Sequence, residues 1–92
     1  MSHQKHTQRA DFDAPVFVAI GNPRQAVAVT SSLQALERLL DRWPTRDGTM
    51  YRHARHACVL AIEGSVDSRA ARKAFARAAR EAGILVEKHD YG

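Results

Sequence analysis

The sequence has little cysteine, little proline and glycine, and no long apolar run, and each shortage excludes a class of protein. The single cysteine, Cys58, has no partner for an intramolecular disulfide, so we expect a cytoplasmic protein. The three prolines and five glycines form no rich stretch that would mark a linker between two domains. No segment reaches the roughly 18 apolar residues that span a bilayer, so no membrane partner is expected.

What the chain does contain is typical of one small globular domain. Hydrophobic residues make up 45% and charged residues 26% of its 92 residues, which is too apolar a composition for a wholly disordered chain. Fourteen Lys and Arg against ten Asp and Glu leave a net charge of +4. This surplus permits an anionic partner without requiring one.

The pattern of apolar residues divides the chain into three parts. Residues 1–13 show no apolar period and predict a flexible arm, residues 14–88 predict a single domain, and residues 89–92 form a polar end. The predicted elements of the domain are strands over residues 15–20 and 25–30, helices over 31–43, 50–63 and 68–83, and a strand over 84–88.

The order strand, strand, helix, helix, helix, strand predicts an α+β fold with a small three-stranded sheet. The first strand, PVFVAI, has apolar residues on both faces, as a central strand does, so both of its sides should be covered. The turn GNPR after it favours a hairpin. With the last strand on the free edge of the first, the sheet has the order 2-1-3 and the helices pack on one face.

The first predicted helix has a defined start, end and apolar face. Ser31 and Gln34 fit a capping box, and Pro44 stops the helix after Trp43 because the residue before a proline is pushed out of the helical region. The predicted apolar face consists of Leu33, Leu36, Leu40 and Trp43, with Leu39 beside them.

One series of residues is more specific than a general helix pattern. It comprises Trp43-Pro44, Gly48, Tyr51, Ala54, Cys58, Ala61-Ile62, Gly64, Ala71-Arg72, Phe75 and Ala78-Ala79. This series resembles the small bacterial family called domain of unknown function 982. The resemblance implies a small single-domain α+β protein of no assigned activity.

The residues with reactive side chains do not combine into a catalytic or metal site. His53, His56 and Cys58 carry ligand atoms, but helical spacing places Cys58 far around the helix from both histidines, so we expect neither a metal nor a cofactor. Cys58 fits a buried, inert thiol better than a nucleophile. Capping and exposure at helix ends explain the carboxylates of Asp41, Asp47, Glu63 and Asp67. We therefore expect that the chain is not an enzyme.

Two candidate binding surfaces remain. Trp43 and Tyr51 would line a shallow rim with Arg72, whose planar guanidinium suits a carboxylate or a phosphate. The competing interpretation packs both rings in the core, with the indole N–H at the rim and Arg72 in an ion pair. The second surface is an anion-binding face of the third helix, formed by Arg69, Arg72, Lys73, Arg77 and Arg80.

The functional prediction is a non-catalytic protein-interaction or regulatory module that binds a protein partner or a second copy of itself. The core is thin and the small sheet has two edges: an edge strand accepts a partner strand, and an edge that pairs with its own copy makes a dimer. The alternative is nucleic-acid binding through the basic face of the third helix, where no aromatic residue is interleaved for base stacking.

Overall fold

The computed structural model describes residues 11–87, and within them the predicted α+β fold is confirmed. The elements are β1 (Asp11–Ile20), β2 (Gln25–Ser31), α1 (Ser32–Leu40), α2 (Thr49–Ile62), α3 (Ser68–Glu81) and β3 (Leu85–Val86). The first strand begins four residues earlier than predicted. The rest of the predicted arm and the predicted polar end lie outside the described residues.

The strands form one antiparallel sheet in the predicted order β2-β1-β3. Gly21 opens the hairpin turn with a φ of 106°, a conformation that favours glycine, and Ile20 pairs with Gln25 directly after the turn. At the other edge β3 pairs with Phe17 and Val18 over only two residues. β1 therefore holds the sheet together as its central strand.

The helices cover one face of this sheet, as predicted, and no helix among residues 11–87 covers the other face of β1. Val16, Val18 and Val29 are buried on the helix-covered face. Phe17 and Ala19 point to the opposite face and are only partly buried. Successive side chains of a strand alternate between the two faces, so a sheet covered on one side leaves every second residue of its central strand partly in water.

The start of α1 confirms the predicted capping box. The Ser31 hydroxyl oxygen accepts a hydrogen bond from the backbone N–H of Gln34 at 3.1 Å. The Gln34 amide oxygen in turn accepts one from the backbone N–H of Thr30 at 2.9 Å. The amide thus reaches back one residue beyond the cap itself, and the hairpin and the first helix are joined without a loop.

The end and the buried face of α1 differ from the prediction. The helix stops at Leu40, and Arg42 takes a left-handed φ of 69°, so Trp43 enters the core from a turn and not from a helix. Two leucines of the helix point away from the core: Leu33 is 53% exposed and Leu40 is 48% exposed. Its buried residues are Ser32, Ala35 and Leu39.

The start of α2 is capped from the far end of α3. Gly48 is the N-cap residue and provides no side-chain bond. The carboxylate of Glu81 instead accepts hydrogen bonds from the backbone N–H groups of Met50 at 3.2 Å and Tyr51 at 3.1 Å. Because a helix N-terminus favours a negative charge, this contact fixes the end of α3 against the beginning of α2.

No helix among residues 11–87 is long and apolar enough to cross a bilayer.

Candidate functional site

Trp43 and Tyr51, the aromatic residues of the predicted rim, lie in the core. They are 5% and 1% exposed, and their ring centroids are 6.4 Å apart. The Tyr51 hydroxyl donates a 2.7 Å hydrogen bond to the carbonyl oxygen of Leu39. The indole Nε1 of Trp43 is buried and has no hydrogen-bond partner among the described residues, so the expectation that it lies at the rim is wrong. Neither ring offers an exposed face to a ligand.

Arg72, the third residue of the predicted rim, is bonded to the backbone of β1. Its Nε donates to the carbonyl oxygen of Ala14 at 2.6 Å, and its Nη2 donates to that of Pro15 at 3.2 Å. Asp13 lies 3.9 Å from the same guanidinium. These carbonyls belong to the stretch of β1 where the pairing with β2 is irregular. The guanidinium therefore supplies hydrogen-bond donors to two β1 carbonyls in the irregular stretch of the sheet.

Two more cations of the predicted anion-binding face have carboxylate partners. Arg69 lies 3.0 Å from Asp67, and the hydrogen bond from its side chain is the main reason that the pKa of the Asp67 carboxyl is below its ordinary value. Arg80 lies 3.4 Å from Glu87. Both pairs are on the surface, where water weakens them, so each holds its arginine only loosely.

The remaining charges of α3 line a groove between α2 and α3, which we call the basic groove. Its volume is about 470 Å³. The α3 wall carries Arg69, Lys73 and Arg77, which follow one another at intervals of four residues. Lys73 and Arg77 form no ion pair with another described residue. The other lining residues are Met50, His53, Ala57, Ala70 and Ala74, and none of them is acidic.

A second groove, between α1 and α2, is lined by larger apolar side chains, and we call it the apolar groove. Its volume is about 450 Å³. Leu40 and Val59 are 48% and 37% exposed there. Its complete lining is Leu36, Leu40, Arg52, Arg55, His56 and Val59.

The two arginines of the apolar groove are held in position by the fold. The guanidinium carbon of Arg55 lies 5.7 Å from the centroid of the Tyr51 ring, within the range of a cation–π contact. Arg52 donates from Nη1 to the carbonyl oxygen of Asp47 at 3.2 Å. Each guanidinium thus has one contact with the fold, and both residues remain exposed at the groove.

The candidate ligand atoms of α2 do not meet. His53 lines the basic groove, His56 lines the apolar groove, and Cys58 is fully buried. Burial raises the pKa of the Cys58 thiol to about 12, the opposite of what an activated nucleophile needs. Within residues 11–87 no group of three or more His, Cys, Asp and Glu side chains is arranged to hold a metal ion.

Comparison with models of known protein families shows to which family the chain belongs. The model of the family described as Protein of unknown function (DUF982) matches residues 14–86. The chain belongs to this family. Neither curated proteins nor solved structures give a match. Membership thus fixes the family without assigning a function.

Most residues that resemble the DUF982 pattern form the interior of the fold, whereas Pro44, Ile62 and Gly64 are exposed. Gly48 and Arg72 support it through contacts with Glu81 and with β1. The buried members of the pattern are Trp43, Tyr51, Ala54, Cys58, Ala61, Ala71, Phe75, Ala78 and Ala79. No residue of the pattern lines either groove. The Leu-rich helix before Trp43 also fits the family, and its Leu36 and Leu40 line the apolar groove. The series from Trp43 to Ala79 therefore describes mainly how the fold is held.

The apolar groove is the part of the site that sequence reasoning missed. Helical spacing placed Leu33, Leu36 and Leu40 in the core, where the structure leaves Leu33 and Leu40 exposed. The signal was the number of leucines in α1, which has four in nine residues and buries only one of them completely. A short helix with more apolar residues than one face can cover indicates a second contact surface.

Proposed function

We propose that the chain is a non-catalytic protein-interaction module of the cytoplasm, and that its apolar groove binds an amphipathic, acidic helix of a partner protein. The observation that supports the proposal is the exposure of Leu40 and Val59 on two sides of one groove. Large apolar side chains clustered at the surface of a small domain mark an interaction site more often than scattered ones do.

A helix is the partner element that suits this groove. The groove follows two packed helices, and an amphipathic helix places apolar side chains at intervals of three and four residues along such a channel. Covering a leucine or valine side chain completely contributes about 1.5–3 kcal/mol, so Leu36, Leu40 and Val59 supply enough apolar contact for a transient complex.

The charge of the rim selects an acidic partner. Arg52, Arg55 and His56 line the groove, and no carboxylate does. Glutamate or aspartate beside the apolar residues of the incoming helix would pair with the guanidinium groups of Arg52 and Arg55. A second copy of this chain suits the groove less well, because a twofold contact places each cationic rim against its own copy.

The fully buried Cys58 supports the non-catalytic part of the proposal. Its raised thiol pKa removes the strongest nucleophile of the chain from chemistry near neutral pH. The other reactive side chains of α2, His53 and His56, line different grooves and have no shared substrate position.

Site-specific photo-crosslinking tests the proposal. We would replace Val59, or in a separate variant Ile62, by p-benzoylphenylalanine in the full chain and irradiate the cells that produce it. The two side chains are 37% and 39% exposed on the same helix, but only Val59 lines the groove. We expect a crosslink at Val59 alone, mapped by mass spectrometry to an acidic amphipathic helix. Equal crosslinking at both positions, or a crosslink to nucleic acid at Val59, would contradict the proposal.

A further inference from the structure

We infer that the basic groove between α2 and α3 is a separate binding site for the sugar-phosphate backbone of nucleic acid, recognised without regard to base sequence. The site lies on the other side of α2 from the apolar groove. It therefore adds a second binding activity to the proposed function and does not depend on it.

The charge of the two helices is almost entirely of one sign. The only carboxylate of α2 and α3, that of Glu81, is bonded to the N-terminus of α2. The cations of the two helices are Arg52, Arg55, Arg69, Arg72, Lys73, Arg77 and Arg80. Carboxylates outside the two helices lie beside three of them, Arg69, Arg72 and Arg80. A surface with this balance attracts a polyanion over distances beyond direct contact.

Three of these cations are spaced to follow a strand. Arg69, Lys73 and Arg77 lie four residues apart, so about 6 Å of helix separates each from the next and about 12 Å separates the first from the last. One strand of duplex DNA presents a phosphate about every 3.4 Å of helix axis, so a span of about 12 Å faces about four phosphates. The three cations therefore contact about every second phosphate of such a strand.

The floor of the groove suits a sugar backbone better than a protein helix. Ala57, Ala70 and Ala74 present only methyl groups there. Small side chains let a backbone approach closely, but they give a protein helix little apolar area to bury. Both grooves carry cations, but the apolar lining differs: the apolar groove has two leucines and a valine, whereas the basic groove has three alanines and one methionine.

The contacts available here do not read base sequence. Lys73 and Arg77 protrude from an exposed helix face, and no Phe, Tyr or Trp side chain lines the groove for base stacking. Binding through phosphates alone positions a protein on nucleic acid and carries no sequence information. We therefore expect duplexes of unrelated sequence to bind with equal affinity.

The test is the salt dependence of binding of a fluorescein-labelled DNA duplex of about two helical turns, measured by fluorescence anisotropy. The groove variant combines Arg69→Gln, Lys73→Gln and Arg77→Gln. The control variant combines Arg24→Gln, Arg38→Gln and Arg42→Gln, which remove the same number of charges outside both grooves. Thermal unfolding of both variants shows whether each one is folded.

We expect the slope of log K against log salt concentration to fall in magnitude by about 2–3 for the groove variant and by less than about 1 for the control. Equal losses in the two variants would overturn the inference, because net charge alone would then explain binding. Displacement of the duplex by polyglutamate at equal charge concentration would also overturn it, because an acidic protein segment would then be the better occupant. Val59 crosslinking is independent of all these outcomes.

Discussion

The carboxylate of Glu81 occupies the space in which a Cβ atom on residue 48 would lie, so Gly48 and Glu81 depend on each other. Backbone geometry does not require glycine at this position, because Gly48 has a φ of −78°, which any residue adopts. The close approach of the Glu81 carboxylate does require it. The same carboxylate accepts hydrogen bonds from the first amides of α2. One glycine thus permits a cap that comes from thirty residues further along the chain.

The first prediction concerns this pair. We expect Gly48→Ala to lower the free energy of unfolding by about 1–2 kcal/mol, because the new methyl group displaces the carboxylate from the amides of α2. Glu81→Ala should lower the free energy of unfolding by a similar amount, because it removes the same carboxylate. Urea unfolding of both single variants and of the double variant measures the effect.

The double variant decides whether the two losses have one cause. If they do, Gly48→Ala adds little once Glu81→Ala is present, and the coupling is on the order of 1 kcal/mol. Additive losses would mean that the two residues act separately. Glu63→Ala is a matched control at an exposed carboxylate, and its effect should stay within about 0.5 kcal/mol.

Tyr51→Phe should lower the free energy of unfolding by about 1–2 kcal/mol. The Tyr51 hydroxyl donates to the carbonyl oxygen of Leu39 in the core, and this carbonyl is near the end of α1, where intrahelical partners are missing. Phenylalanine keeps the ring packing and leaves the buried carbonyl unpaired. An unfolding curve unchanged from that of the parent protein would show that the hydrogen bond has no net effect.

Cys58 should make the stability decrease at high pH. The thiol titrates near 9.0 without burial and near 12 in the fold, so between these values the unfolded chain has released a proton that the folded chain retains. The contribution of the buried thiol to the free energy of unfolding is therefore fully present below about pH 9 and is lost as pH rises towards 12. In this range the free energy of unfolding falls by up to about 1.4 kcal/mol per pH unit.

The measurement compares the parent protein with Cys58→Ala by urea unfolding at about pH 8 and about pH 10.5. Other groups titrate in this range, and the difference between the two proteins isolates the thiol. We expect the alanine variant to lose less stability over the interval. Equal losses would show that the thiol is not protected by burial.

Arg72 and Lys73 are neighbours in sequence with opposite predicted roles. Arg72→Gln should lower the free energy of unfolding by about 1 kcal/mol, because its guanidinium bonds two carbonyls of β1, and should leave the salt dependence of DNA binding unchanged. Lys73→Gln should change stability by less than about 0.5 kcal/mol and reduce the salt slope by about 1. A stability loss at Lys73 or a slope change at Arg72 would contradict this assignment.

The order of the elements could be predicted because its signals are local. The hairpin turn at Gly21, the capping box at Ser31 and the N-cap at Asp67 each depend on residues within one turn of chain. The central position of β1 followed from its composition. Predicting these features does not require knowing which helices pack against each other.

The faces and grooves could not be predicted because they depend on tertiary packing. The exposure of Leu33 and Leu40 follows from where α1 ends, and the role of Arg72 follows from irregular pairing in β1. The basic groove joins His53 with residues of α3, and helical spacing alone cannot show that α2 and α3 are neighbours. Composition showed that cations were in excess, but not which of them were already bonded.

The most direct test of the proposed function is the yield of the Val59 crosslink in two charge-insertion variants. Leu40→Asp places a carboxylate in the apolar groove, whereas Leu33→Asp places one at a similarly exposed position of α1 outside the groove lining. We predict that Leu40→Asp reduces the yield at least about tenfold, a loss of about 1.4 kcal/mol or more in binding, and that Leu33→Asp retains it. Equal yields in the two variants would contradict the claim that this groove binds the partner.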